Sequence, residues 1–274
     1  MAKSAAQKKT ASGSPLPEGA RERSRLVLEL LTRRYPHPAT YLHHETPWQL
    51  LVATALSAQC TDDRVNMVTP DLFRRWPGPA EMASAPLGEV EDAIRSVGLY
   101  RSKAKNITAA AQRVTEVYGG EPPKTIAELT TLPGVARKTA NIVLSSGYGI
   151  NEGIAVDTHV KRITHRLGLT SQTDPVKVEQ DLMQLFPQKE WGDINHRLVL
   201  FGRAVCTARS PKCGECEMSS FCPKLEPPRT KKKNRTKKAS GTIRLRRPLD
   251  LKKSFSVLDD GSQRLAARKV ASER

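Results

Sequence analysis

Four cysteines fall within seventeen residues, Cys206, Cys213, Cys216 and Cys222, in CTARSPKCGECEMSSFC, with gaps of six, two and five residues. Disulfides are not expected in a reducing compartment, so converging thiolates here point to a metal. Structural zinc usually takes two short paired knuckles, and this stretch has one Cys-x-x-Cys. Single cysteines on either side of that pair suit the corners of a cubane, so the spacing favours a 4Fe-4S cluster, with zinc as the alternative. With four thiolates committed, no iron is left open for substrate, and the cluster is expected to be structural or redox-sensing. Arg209 and Lys212, inside the loop, serve either as a phosphate clamp or to offset thiolate charge. Cys60, at the end of the apolar run LLVATALSAQC, is expected as a small buried side chain within a helix.

A second stretch, LPGVARKTAN (132–141), carries a lysine whose role could be structural, DNA-binding or catalytic. It describes a tight turn opening a helix near Ala136, with Arg137 and Lys138 in the first turn. Cations are unfavourable there because the helix N-terminus already bears partial positive charge. An amine set in that field is biased toward its free, nucleophilic form. The turn and helix start also offer backbone N–H groups to a phosphate, although Pro-Gly turns occur in every class of protein. Asp157, in AVDTHVKRITHRLGL, stands just before a helical pattern. An ordinary N-cap and a functional carboxylate are both open for it.

The elements that must position these groups read as helices. TPWQLLVATALSAQC begins with Thr46 as N-cap, Pro47 at the first helical position and Gln49 completing a capping box. DPVKVEQDLMQLF repeats the device with Asp174 and Pro175, and TIAELTTL has Thr125 and Glu128 as a second box. PLGEVEDAIRSVGLY and SKAKNITAAAQRVTEVYGG are amphipathic, the latter ending on Gly119 and Gly120. No window alternates as a strand between hairpin turns, so the class is all-α, and no internal repeat is found. A chain of 274 residues suits two domains.

Charge is unevenly spread over the formal net charge of +17. Basic residues number six against two acidic in 1–25, twenty-two against twenty-one in 26–223, and seventeen against five in 224–274. RTKKKNRTKK (229–238), flanked by Pro, Ser and Gly, reads as part of a disordered tail that binds nucleic acid non-specifically; a solubilising or targeting role is the alternative. No run of about 18 apolar residues is present to span a membrane, and the N-terminus lacks the apolar stretch of a secretory signal. A soluble, cytoplasmic, nucleoid-associated monomer is expected.

LPGVARKTAN, AVDTHV and the cysteine spacing, in that order, resemble the helix-hairpin-helix DNA glycosylases, specifically the endonuclease III branch. The resemblance runs from about residue 22 to 223 and includes LLVATALSAQCTD and SVGLYRSKAKNI. It implies two all-α domains: a six-helix domain over 40–150 with the hairpin, and a 4Fe-4S cluster domain built from 22–39 and 151–223. Basic tails over 1–21 and 224–274 would lie outside both, and the substrate groove between the domains. By the same resemblance Lys138 is the nucleophile and Asp157 its catalytic partner. The implied activity is bifunctional: a damaged pyrimidine is flipped from duplex DNA, removed by lysine attack at C1′, and the strand cut on the 3′ side by β-elimination. Gln59 and Leu99 match the positions that fill the hole left by flipping. Gly134, Ala136, Arg137 and His159 match DNA-facing positions.

The sequence departs from the family pattern at two places. Ala136 stands where the hairpin usually has glycine; were positive φ needed there, a side chain would cost about 1 kcal/mol. Neutral Thr130 and Thr131 precede the hairpin where an acidic residue is often found. The competing functions are a mismatch adenine glycosylase of the same superfamily, against which Lys138 argues, and a non-enzymatic DNA clamp.

Overall fold

The computed structural model describes residues 15–226. Most of both basic tails therefore lies outside the described residues, as does the run 229–238. The helix expected to follow the first tail begins at Ala20, inside the stretch assigned to that tail.

Eleven α-helices and no strand occur among the described residues: α1 (Ala20–Arg34), α2 (Pro47–Leu56), α3 (Asp62–Arg75), α4 (Pro79–Ser84), α5 (Leu87–Ala93), α6 (Tyr100–Tyr118), α7 (Ile126–Leu129), α8 (Arg137–Ile142), α9 (Thr158–Arg166), α10 (Pro175–Leu185) and α11 (Trp191–Ala204). The starts follow the cap residues read in the sequence. Thr46 Oγ1 accepts from the Gln49 N–H at 3.2 Å, Thr125 Oγ1 from Glu128 at 3.2 Å, and Asp174 Oδ1 from Val176 and Lys177 at 3.1 and 3.2 Å. The box at α2 closes one residue early, since Gln49 Oε1 takes the N–H of Glu45 at 2.8 Å. At the end of α6 the N–H of Gly120 bonds Val114 O, with Gly119 at φ 66.

Buried apolar side chains gather into two clusters, and these set the architecture. One spans Leu42 to Ala155 and is organised by α2, whose Leu50, Leu51 and Leu56 are sealed from solvent. Each contributes about 1.5–3 kcal/mol by burial. The other joins Val27 and Leu31 of α1 to α9, α10 and α11 and ends at Met218. The first helix thus crosses the whole intervening sequence to pack with the last ones. Arg197 of α11 pins that lobe, donating to Tyr35 O, Glu190 and Asp193 while itself buried.

Three polar pairs cross the boundary between the clusters. Arg137 of α8 meets Glu179 of α10, Asp62 of α3 meets Arg203 of α11, and Ser146 meets His196 of α11.

Candidate active site

The turn before α8 needs one left-handed residue, and glycine supplies it. Gly134 has φ 76, and a Cβ there would stand 2.9 Å from Asn106 Cβ on α6. Ala136, the departure from the family pattern, has φ −86 and ψ 163, extended backbone open to any residue. The strain anticipated for it does not arise. Ala136 ends the turn as N-cap of α8, and Lys138 is the second residue of that helix, exposed. Beyond Ile142 the helix widens into a π turn, Val143–Gly147, a distortion frequent at functional sites.

Lys138 and Asp157 line the same cavity between the lobes, together with Ile142, His196 and Arg203. They come from separate elements nineteen residues apart, α8 and the start of α9. Asp157 is indeed an N-cap: its Oδ1 accepts the Val160 N–H at 2.8 Å. That bond fixes the carboxylate, and Oδ2 has no hydrogen-bond partner among the described residues. The capping and functional possibilities are therefore compatible in one side chain.

Arg137, next to Lys138, is engaged elsewhere. Its Nε and NH2 nitrogens donate to the two oxygens of Glu179 at 2.6 and 3.2 Å, and Asn141 Nδ2 adds a third bond to the same carboxylate at 2.8 Å. Glu179 is almost fully buried. The positive charge beside Lys138 is thus paired. His159 is half-buried against α11, where a Cβ on Gly202 would stand 2.6 Å from its Nδ1. Burial holds its imidazole below the ordinary value, opposed by the pull of Asp157.

Sequence reasoning missed three residues at this cavity. Arg203 donates to Asp62 at 2.6 Å and lies over the Tyr41 ring at 4.9 Å, which makes a stacked, charged rim. His196 shares a 3.0 Å hydrogen bond with Ser146 Oγ, and burial lowers its pKa. Asp62 is the last residue of the LLVATALSAQCTD stretch, so its proximity was hinted at. Arg203 and His196 carried no local signal, because their meaning lies in pairings across 141 and 50 residues.

The two residues matched to the DNA wedge are both backbone exceptions. Gln59 has φ 55 and Leu99 φ 61, conformations that cost a side-chain-bearing residue roughly 1–2 kcal/mol. Leu99 is 62% exposed, so it is not a core residue. The two loops touch: a Cβ on Gly98 would lie 3.6 Å from Gln59 O. Cys60 differs from expectation, since α2 stops at Leu56 and leaves it in the following loop, half-buried against the first core.

Cys206, Cys213, Cys216 and Cys222 line one cavity in the second lobe, none in a disulfide. Among the described residues no three ligating side chains close on a single ion. The sulfurs stand around a space instead of a point, as one thiolate per corner of a cubane requires. Burial pushes the Cys216 and Cys222 thiols up, with the other cysteines adding to the effect, so ionised sulfurs here call for a cationic core. Arg166 supports the loop, donating to Thr207 O at 2.7 Å and Ala208 O at 3.0 Å, with Cys206 Sγ 3.5 Å away. Arg209 and Lys212 are exposed.

Comparison with known proteins agrees with this geometry. Residues 52–188 match the HhH-GPD superfamily base excision DNA repair proteins, and 206–222 match the iron-sulfur binding domain of endonuclease III. The cofactor is accordingly a 4Fe-4S cluster, and the zinc alternative falls. Endonuclease III of Synechocystis sp. is 50% identical over 206 residues, 75% of this chain and 94% of that protein. That of Bacillus subtilis is 47% identical over 71% of this chain and 89% of its own length. Among solved structures, a trapped endonuclease III–DNA covalent intermediate in an estranged-adenine complex aligns with TM-score 0.71 and 42% identity, covering 74% of this chain and 96% of that one. Identical at half of the 206 positions aligned over nearly the whole length of the first of these relatives, the chain belongs to the endonuclease III family of the HhH-GPD superfamily.

Proposed function

We propose that Lys138 is the nucleophile and Asp157 its partner in removing oxidised pyrimidines from duplex DNA. The chain is a DNA glycosylase and abasic-site lyase of base excision repair, as its family membership establishes. The observation that carries the residue assignment is the shared cavity between the lobes, into which α8 brings an amine and α9 a carboxylate.

In this reading the target nucleotide is flipped into the cavity. The free amine of Lys138 bonds to C1′ as the bond from C1′ to the base breaks, and the base leaves with the electron pair and takes up a proton. Opening of the sugar ring gives a protonated Schiff base between Nζ and C1′. The iminium acidifies C2′; loss of a proton there expels the 3′ phosphate, and water then releases the lysine. Asp157 accepts the proton from Lys138 or stabilises positive charge developing at C1′. The Asp62–Arg203 rim offers a donor fork and an acceptor to the carbonyl and N–H edge of a pyrimidine.

Gln59 and Leu99 fill the vacated stack, and the turn at Gly134 and Ala136 holds a phosphate through backbone N–H groups. Arg137 braces that turn through Glu179. His159 supports the site from the α9 side. The two hydrophobic clusters are taken as the hairpin domain (40–150) and the cluster domain (22–39 with 151–223). Cys206, Cys213, Cys216 and Cys222 would hold the cluster, which would cross-link the loop 206–222. The basic residues of 224–274 add non-specific, salt-sensitive attraction to DNA. No helix among the described residues is long and apolar enough to cross a membrane; a cytoplasmic monomer working on nucleoid DNA fits this reading.

Borohydride reduction in the presence of a duplex bearing thymine glycol or an abasic site tests the assignment. A covalent protein–DNA adduct is expected from the wild type and not from Lys138→Gln. An undiminished adduct from the variant would refute the nucleophile. Iron and sulfide analysis of the purified protein tests the cluster.

A further inference from the structure

The side chain of Lys103 is one of the few charged groups sealed inside the first lobe, at 7% exposure. Its ammonium has no carboxylate partner within 4.0 Å among the described residues. It donates instead to two carbonyls, Leu56 O at 2.9 Å and Ala58 O at 2.6 Å. These are the last residue of α2 and the residue just before Gln59. A cation on the C-terminal carbonyls of a helix is favoured by the helix field, and burial lowers the pKa of this amine against the raising influence of Cys60. Where α2 ends at Leu56, the terminal carbonyl takes Lys103, and the Cys60 N–H bonds Ser57 O at 3.1 Å instead of continuing the helix.

Lys103 lies in the first turn of α6, whose N-cap is Leu99, and its own backbone N–H bonds Leu99 O at 3.1 Å. One residue therefore holds both exceptional loops, one through its main chain and the other through its side chain. One turn further on, Asn106 packs against Gly134 of the hairpin. Positions 99, 103 and 106 share one face of α6 at helical spacing, so a single rigid helix meets the three segments that face DNA.

We propose that Lys103 is a positioning residue that couples the Gln59 and Leu99 loops into one unit, so that both side chains enter the DNA stack together when a base is flipped. This inference rests on the wedge reading of Gln59 and Leu99. Its role is in forming the flipped complex and not in the chemistry, which Lys138 performs in the cavity that the Gln59 loop borders at Ser57 and Asp62. A residue that only stabilised the lobe would instead affect all substrates alike.

The distinguishing readout is a ratio of two single-turnover rates for the full chain with its cluster: base excision from a thymine glycol duplex, and β-elimination at an abasic site in single-stranded DNA. A single strand has no opposing base and no hole to fill. Lys103→Met is expected to lower the duplex-to-single-strand ratio at least tenfold, as are Gln59→Ala and Leu99→Ala. Combining Lys103→Met with Gln59→Ala should lower it little further, because both act on one step. An unchanged ratio in Lys103→Met, with the two wedge variants lowered, overturns the coupling while leaving the wedges standing. Unchanged ratios in Gln59→Ala and Leu99→Ala overturn the wedge reading and the coupling with it. Should Lys103→Met fold poorly, Lys103→Arg, which must push the two carbonyls apart, is read by the same ratio and the same criteria.

Discussion

Arg137 closes on Glu179 with its Nε 2.6 Å from Oε2, and this bond ties the residue before Lys138 to a helix of the other lobe. Glu179 is buried and also takes Asn141, so the hairpin helix is held from below at two points. The carboxylate fits only because Gly153 lacks a side chain: a Cβ there would fall 2.1 Å from Glu179 Oε1. Removing one partner of a buried pair leaves an uncompensated charge. Because the guanidinium is partly exposed and solvent-screened, Arg137→Ala should cost about 1–3 kcal/mol. Gly153→Ala should cost a similar amount by displacing the carboxylate. Denaturant melts check both, and an Arg137→Ala loss under about 0.5 kcal/mol would show the pair to be incidental.

The hairpin makes a contrasting pair of predictions. At Gly134 both the left-handed backbone and the Asn106 contact oppose a side chain, so Gly134→Ala should destabilise by about 1–3 kcal/mol. At Ala136 neither applies, and Ala136→Gly, which restores the family residue, should change stability by less than about 0.5 kcal/mol. DNA affinity measured on the same two variants should fall for the first and hold for the second.

Stability should also depend on pH through His196. Burial holds its folded pKa below the ordinary 6.5, so the unfolded chain binds the proton more readily. A depressed histidine stabilises the fold above pH 6.5, and that contribution is lost as pH falls through the lower folded value. Melting temperature should therefore drop as pH falls below about 6.5, and His196→Gln should flatten the drop. Gln retains a group able to bond Ser146, so loss of the hydrogen bond does not confound the comparison. An identical slope in the variant would assign the drop to other groups, His159 foremost among them.

What the sequence discloses is what is local. Caps at Thr46, Thr125, Asp157 and Asp174 announce helix starts because a short polar side chain satisfies an N–H two or three residues on. The cysteine spacing, LPGV turn and Asp157 are likewise readable as contiguous strings. Pairings such as Arg137–Glu179 and Asp62–Arg203 are not, since nothing in either string names its partner across 42 or 141 residues. The end of α2 was misjudged for the same reason. Apolar periodicity favours continuing to Cys60, whereas the Leu56 carbonyl takes a lysine 47 residues away.

The cluster loop gives the last prediction. Residues 206–222 contain one short 3-10 turn, Cys213–Glu215, and few of their own apolar contacts beyond Met218 and Phe221. Their backbone is held by Arg162, which donates to Cys206 O at 2.9 Å, and by Arg166 on Thr207 and Ala208. Arg166→Ala leaves two carbonyls without their donor and should cost about 1–3 kcal/mol. Cys213→Ser removes one of the four proposed cluster ligands and should lower both iron content and melting temperature. Lys138 lies in a separate cavity, so the borohydride adduct formed per folded molecule should persist in both variants at low temperature. A loss of adduct out of proportion to the loss of folded protein would mean that the loop reaches the reacting sugar, and the separation of cluster and chemistry would have to be abandoned.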